Sequence, residues 1–219
     1  MSDQDSKRAD AGQKGKQFFE DIWARGDFWN LEQSPFEHAK YDQQFALLSD
    51  RAYERTLEIG CAAGTFTRML ALVSRNVLAL DISEGAIKRA TSLTPPDLQT
   101  RIAYHAQDIM DRPLQEDEAW DLVVMNETIY YIGWLYPFFN VCWMAFQLFK
   151  ATRPGGRLLM ANTLGLETDY LLLPCVIKTY ESLLLNVGFY LEKQETFKGT
   201  KDGVEIETLL SLFVKPDEA

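Results

Sequence analysis

The chain has 219 residues, with 22 Lys+Arg against 32 Asp+Glu and a formal net charge of −10. Hydrophobic residues make up 47% and charged residues 25%, values ordinary for one soluble α/β domain with room for a sizeable core. An acidic balance argues against nucleic acid as a partner, because affinity for phosphates comes from Lys and Arg. The three cysteines (Cys61, Cys142, Cys175) are odd in number and widely spaced, so neither a disulfide framework nor a metal knuckle is indicated. The polar start lacks the apolar core of a signal peptide, so a cytoplasmic protein is expected.

Residues 1–16 are polar and mixed in charge and are expected to be frayed and disordered. Residues 17–52 then read as a helical cap. Phe18, Phe19, Ile22 and Trp23 share one helical face, and Gly26-Asp27 breaks it. Ser34-Pro35-Phe36-Glu37 is a capping box that starts a second helix carrying Tyr41, Phe45 and Leu48. The core is expected over 53–214, with strands at Thr56–Cys61, Val77–Ile82, Ile102–Gln107, Asp121–Met125 and Arg157–Asn162. Helices fall between them, at Phe66–Val73 and after the cap residue Ser83. Thr128 to Phe149 carries no charge, yet Gly133, Pro137, Asn140 and Gln147 make a membrane span untenable. A loop and buried helix beside a pocket are expected there, with Phe138, Phe139, Trp143 and Phe146 packed on the sheet. A helix over Tyr170–Asn186 and strands at Phe189–Phe197 and Ile206–Val214 close the chain. The last two strands are joined by too few residues for a crossover helix, so the final strand runs antiparallel. The sum is a single Rossmann-like α/β domain: a seven-stranded doubly wound sheet, mostly parallel, with helices on both faces.

The informative residues sit at the carboxyl ends of the first four strands, where an open α/β sheet binds its ligand. Gly60 and Gly64 leave a bare turn after strand one. Asp81 follows Gly60 by 21 residues, the spacing at which a carboxylate reaches a ribose diol. Asp108 follows strand three, and Asn126-Glu127 follows strand four. A dinucleotide fingerprint fails, since Ala62 and Thr65 stand at the second and third glycine positions, and no Gly-Lys-Ser/Thr signals a P-loop. Glu58 would repel a pyrophosphate but suits the cationic amino acid end of S-adenosylmethionine (SAM).

The ordered set Glu58-x-Gly60-x-x-x-Gly64, Asp81, Asp108, Asp121-Leu-Val-Val and Arg153-Pro-Gly-Gly resembles the motifs of class I SAM-dependent methyltransferases. Gly60-Cys-Ala-Ala-Gly-x-Phe-Thr, Trp29-Asn, Ser34-Pro-Phe-Glu and Glu127-x-x-Tyr-Tyr resemble more narrowly the NodS-like N-methyltransferases. The resemblance implies that Gly60, Cys61 and Gly64 line the methionine part of the cofactor. It implies Asp81 on the ribose with Ile82 beside the adenine, Asp108 and Ile109 at the adenine edge, and the Asn126 backbone near the methionine amino group. Trp29 and Phe36 would close over the cofactor, whose product is S-adenosylhomocysteine (SAH). Ala62 replaces the usual middle glycine, which is tolerable where φ stays negative.

For catalysis the candidates are Glu127, Tyr130, Tyr131 and His105. Glu127 reads either as an acceptor-binding group or as a solvated loop residue. Tyr130 and Tyr131 either pack or face the pocket, where aromatic faces attract a sulfonium. His105 would be a base for oxygen acceptors, against its reading as a buried or edge histidine; His38 reads as exposed. A small-molecule acceptor is expected, with N-methylation of an amine (an amino sugar or natural-product intermediate) favoured. A small-molecule O-methyltransferase and a non-catalytic SAM-binding protein are the alternatives. Asn126-Glu127-Thr128-Ile129 lacks the Asn-Pro-Pro-Tyr pattern of a DNA amino-methyltransferase. A monomer or homodimer without membrane attachment is expected.

Overall fold

The computed structural model describes residues 3–165 and 169–217; residues 1, 2, 166–168, 218 and 219 lie outside the described set. Seven strands form one sheet in the order β3-β2-β1-β4-β5-β7-β6: β1 (Tyr53–Ile59), β2 (Ser74–Asp81), β3 (Ile102–Ala106), β4 (Trp120–Asn126), β5 (Thr152–Leu164), β6 (Tyr190–Lys201) and β7 (Val204–Val214). β1 to β5 pair in parallel, and β7 runs antiparallel to both β5 and β6, as the short final connection demands. Strand order reverses between β1 and β4, so the carboxyl ends of these strands flank a crevice.

Side chains alternate across the sheet into two cores. Leu57, Val123, Met125, Leu158 and Phe213 face one, and Val77, Leu122, Val124, Leu159 and Leu212 face the other. The first core is covered by α5 (Ile129–Leu135), α6 (Phe138–Ala151) and α7 (Pro174–Val187). The second is covered by α2 (Pro35–Leu48) and α3 (Thr65–Val73), while α4 (Glu84–Leu93) presents Ile87 to it. Helix starts follow local chemistry: Ser83 caps α4 by accepting the Ala86 N–H at 3.1 Å, and Ser34 caps α2 by accepting that of Glu37 at 3.4 Å.

Three expectations are corrected. Residues 3–16 are helical instead of frayed, within α1 (Asp3–Trp23). Its glycines are points of close approach: a Cβ at Gly12 would lie 2.9 Å from Tyr136 Oη, and one at Gly15 would lie 2.6 Å from Leu135 Cδ1. Tertiary packing supplies what the composition lacks. The capping box at α2 forms only in half, because the Glu37 side chain leaves the helix start for two lysines. On α6 the residues turned inward are Val141, Met144, Ala145, Leu148 and Ala151. Phe138, Phe139, Trp143 and Phe146 lie on its other face and are exposed, Phe139 at 83%. Among the described residues no helix is long and apolar enough to cross a membrane.

Candidate functional site

A cavity of about 410 Å³ opens at the carboxyl edge of β1, β2 and β4 beneath α1 and α2. Its floor is the turn after β1. Gly60 has φ +78°, and a Cβ there would fall 2.3 Å from Thr128 Oγ1, so only glycine lets the loop after β4 lie against this turn. Ala62 has φ +49°, contrary to the negative φ expected of it. The Asp81 carboxylate holds that left-handed backbone by accepting the Ala62 N–H at 2.9 Å. Gly64, at φ +73°, does not line the cavity; a Cβ there would strike Tyr104 Oη at 2.6 Å, so its place is in packing behind the turn.

The other oxygen of Asp81 accepts the Ser83 N–H at 2.9 Å. Each carboxylate oxygen therefore keeps one lone pair for a diol. Burial pushes the Asp81 carboxyl up to about 6, against the opposing pull of these two backbone bonds. Glu58 is buried and accepts the Thr67 hydroxyl at 2.5 Å. Burial pushes it up to about 7, opposed by the Thr67 bond and reinforced by the charge of Asp81. Cys61 lines the floor as a buried thiol raised by burial. Asp108 caps the turn at Ile109–Asp111 through the Met110 N–H at 2.9 Å and also accepts the Tyr136 hydroxyl. Burial raises its carboxyl, partly offset by those two bonds. Ile82, Ile109 and Asn126 line the same cavity, as do Trp29 and Phe36 from the cap.

Because the folded state raises these carboxyls, it binds protons that the unfolded chain has released. Their contribution to stability is fully present below the unfolded pKa near 4 and is lost as pH rises through about 6 for Asp81 and about 7 for Glu58. Glu58→Gln is accordingly expected to stabilise the ligand-free protein at pH 8, by on the order of 3 kcal/mol, with the advantage gone by pH 4. Urea titrations at the two pH values measure it; a gain equal at both would show that the carboxyl is not shifted.

Across the cavity stands Glu127, at φ +53°, with its N–H on Ala161 O at 2.8 Å. Its carboxylate is fully subscribed. Oε1 accepts from Lys40 Nζ at 3.0 Å and Thr163 Oγ1 at 2.7 Å, and Oε2 accepts from the Thr163 N–H at 2.9 Å and Tyr130 Oη at 3.3 Å. Tyr130 and Tyr131 both line the cavity, with ring centroids 4.6 Å apart. Burial first, and the charge of Glu127 second, keep the Tyr130 phenol protonated far above neutral pH. Lys40 is buried and meets Glu37 at 2.8 Å, and Glu37 meets Lys201 at 2.6 Å. Lys40, Thr163 and Lys201 line the site unannounced by any motif, and Glu37, expected only to close the capping box of α2, lines it too. Nothing local in α2 says that the edge carrying Glu37 and Lys40 turns inward. His105 is corrected: it lies exposed on edge strand β3 and does not line the cavity, and His38 is exposed on α2. Among the described residues no cluster of three or more His, Cys, Asp or Glu side chains could hold a metal.

The strand order, the glycine turn and the carboxylates at the ends of β2 and β3 define the class I SAM-dependent methyltransferase fold. The family model of Nodulation protein S (NodS) matches residues 11–136, and the chain belongs to that family. It is 29% identical over 144 residues to Nodulation protein S of Rhizobium tropici, covering 64% of this chain and 56% of that one. It is 33% identical over 117 residues to that of Bradyrhizobium diazoefficiens, covering 53% and 54%. The matched segments thus span about half the length of these curated relatives. The crystal structure of the N-methyltransferase NodS from Bradyrhizobium japonicum WM9 in complex with SAH superposes with a TM-score of 0.76, at 27% identity, over 93% of this chain and 99% of that one.

Proposed function

We propose that this protein is a SAM-dependent methyltransferase acting on a small molecule, with an amine nitrogen as the acceptor. The observation that carries the reading is one cavity with two unlike ends. One end has the bare Gly60 turn and the diol-ready Asp81; the other has the Glu127–Tyr130 pair between aromatic walls. The similar crystal structure, that of the N-methyltransferase NodS in complex with SAH, supports both the cofactor and the nitrogen.

The residues fit the cofactor. Asp81 would hold the ribose hydroxyls, Ile82 and Ile109 the adenine faces, and Glu58 with the Asn126 backbone the methionine end. When bound, SAM supplies an electrophilic methyl group on a sulfonium. The faces of Trp29, Tyr130 and Tyr131 suit that cation and exclude water. Asp108 gives one oxygen to Met110 and the other to Tyr136, which orders the turn carrying Ile109 and leaves one lone pair on each oxygen at the adenine end.

Glu127 has no free lone pair with which to take a proton, so its part is to anchor Tyr130. The phenol donates to Glu127 and keeps an oxygen lone pair that can accept an amine N–H. That contact would point the nitrogen lone pair at the methyl carbon, and such alignment can supply several kcal/mol. An amine that arrives neutral needs no strong base. An oxygen acceptor would need one, and neither histidine lines the cavity. Incubation with methyl-labelled SAM and a panel of amines and phenols tests the reading. Label is expected in amines. Transfer confined to hydroxyls would sink the nitrogen acceptor, and cofactor binding without any transfer would leave a SAM-binding protein.

A further inference from the structure

Lys40 is a cation with almost no exposure, 4% of its side chain, set in the wall of a cavity whose other charges are mostly acidic. Burial alone would lower its pKa. The carboxylates of Glu127 and Glu37 outweigh burial and hold the ammonium well above the usual lysine range. The rings of Phe36 and Tyr41 pass 5.7 and 5.9 Å from Nζ. Four charges thus alternate in an unbroken line, Lys201, Glu37, Lys40 and Glu127, which ends on the Tyr130 hydroxyl. Lys201 also donates to Trp29 O at 2.7 Å, so the line begins where the β6–β7 hairpin meets the cap.

We propose that Lys40 is a positioning residue for the acceptor: it fixes the Glu127 carboxylate, and through it the Tyr130 hydroxyl, at the acceptor end of the cavity. The amine part of this inference rests on the function proposed above; the coupling of Lys40 to Tyr130 does not. Glu127 sits in a left-handed backbone conformation that a glutamate does not adopt without restraint, and Thr163 and Lys40 supply the restraint on Oε1. Asp81 stands at the end of β2, two strands from the Glu127 loop that follows β4, so loss of Lys40 should leave the ribose contact, and with it most of the cofactor affinity, in place.

The test uses the full chain with Lys40→Met, Lys40→Gln and Lys40→Arg. The tyrosine ring signals are read by NMR after selective carbon labelling, with Tyr130→Phe assigning the relevant one. In both uncharged variants the Tyr130 signal is expected to move beyond its line width. With the amine that wild type methylates fastest, kcat/KM should fall at least tenfold, SAH affinity should stay within threefold, and Lys40→Arg should recover most of the loss. Should the Met variant fail to fold, the Gln variant, polar but shorter than lysine and without its charge, also lacks the ion pair to Glu127 and carries the same comparison. A Tyr130 signal unmoved in the uncharged variants overturns the proposal, as does SAH affinity falling in step with kcat/KM. If the signal moves but wild type methylates no amine, the coupling stands and the amine reading alone is lost.

Discussion

Asp81→Ala is expected to weaken SAM and SAH binding roughly 30-fold or more, the equivalent of about 2 kcal/mol for hydrogen bonds to a charged group. The carboxylate has two tasks, and alanine removes both. It offers one lone pair per oxygen to a diol, and it holds the Ala62 and Ser83 N–H groups, each at 2.9 Å. Without it, the left-handed turn at Ala62 loses the bond that favours it, and the floor need not keep its shape. Ligand-free stability should suffer far less, because an ionised Asp81 is itself costly in this buried place. Calorimetric titration with SAH, paired with thermal melts at pH 8, separates the two effects. An affinity within threefold of wild type would remove Asp81 from the cofactor site.

The second large effect falls on turnover. Glu127→Gln is expected to lower kcat roughly 10- to 100-fold at saturating SAM while leaving SAM affinity near wild type. A glutamine offers one acceptor oxygen and an NH₂ where four donors now converge. Either Tyr130 or the Thr163–Lys40 side must go unmet, and a displacement of about 1 Å at an acceptor can cost on the order of 100-fold. Steady-state rates with labelled SAM measure it, and an unaltered rate would take Glu127 out of the mechanism.

Much of this site is legible as spacing. Gly60, Asp81, Asp108 and Asn126 stand at strand ends, and a strand–helix alternation sends every such end to one edge of the sheet. The Glu127–Tyr130 pair is half legible: its place after β4 is, but its partners are not, because Lys40 comes from a helix 87 residues earlier and Thr163 from a strand 36 residues later. The aromatic residues of α6 mislead for a related reason. A hydrophobic side chain is expected inward, yet this helix satisfies its core contact with Val141, Met144, Ala145 and Leu148, and its largest rings are left outside.

Periodicity and turn chemistry act over a few residues, so the order of elements, the antiparallel close of the sheet and the cofactor edge can be read from the chain alone. Which polar groups end up buried together is a long-range matter. The sign of φ at Ala62, the helix over 3–16 and the charge ladder through Lys40 are each settled by contacts between segments far apart in sequence. A buried ion pair or a left-handed alanine is unfavourable by itself and persists only because the surrounding packing and hydrogen bonds outweigh it.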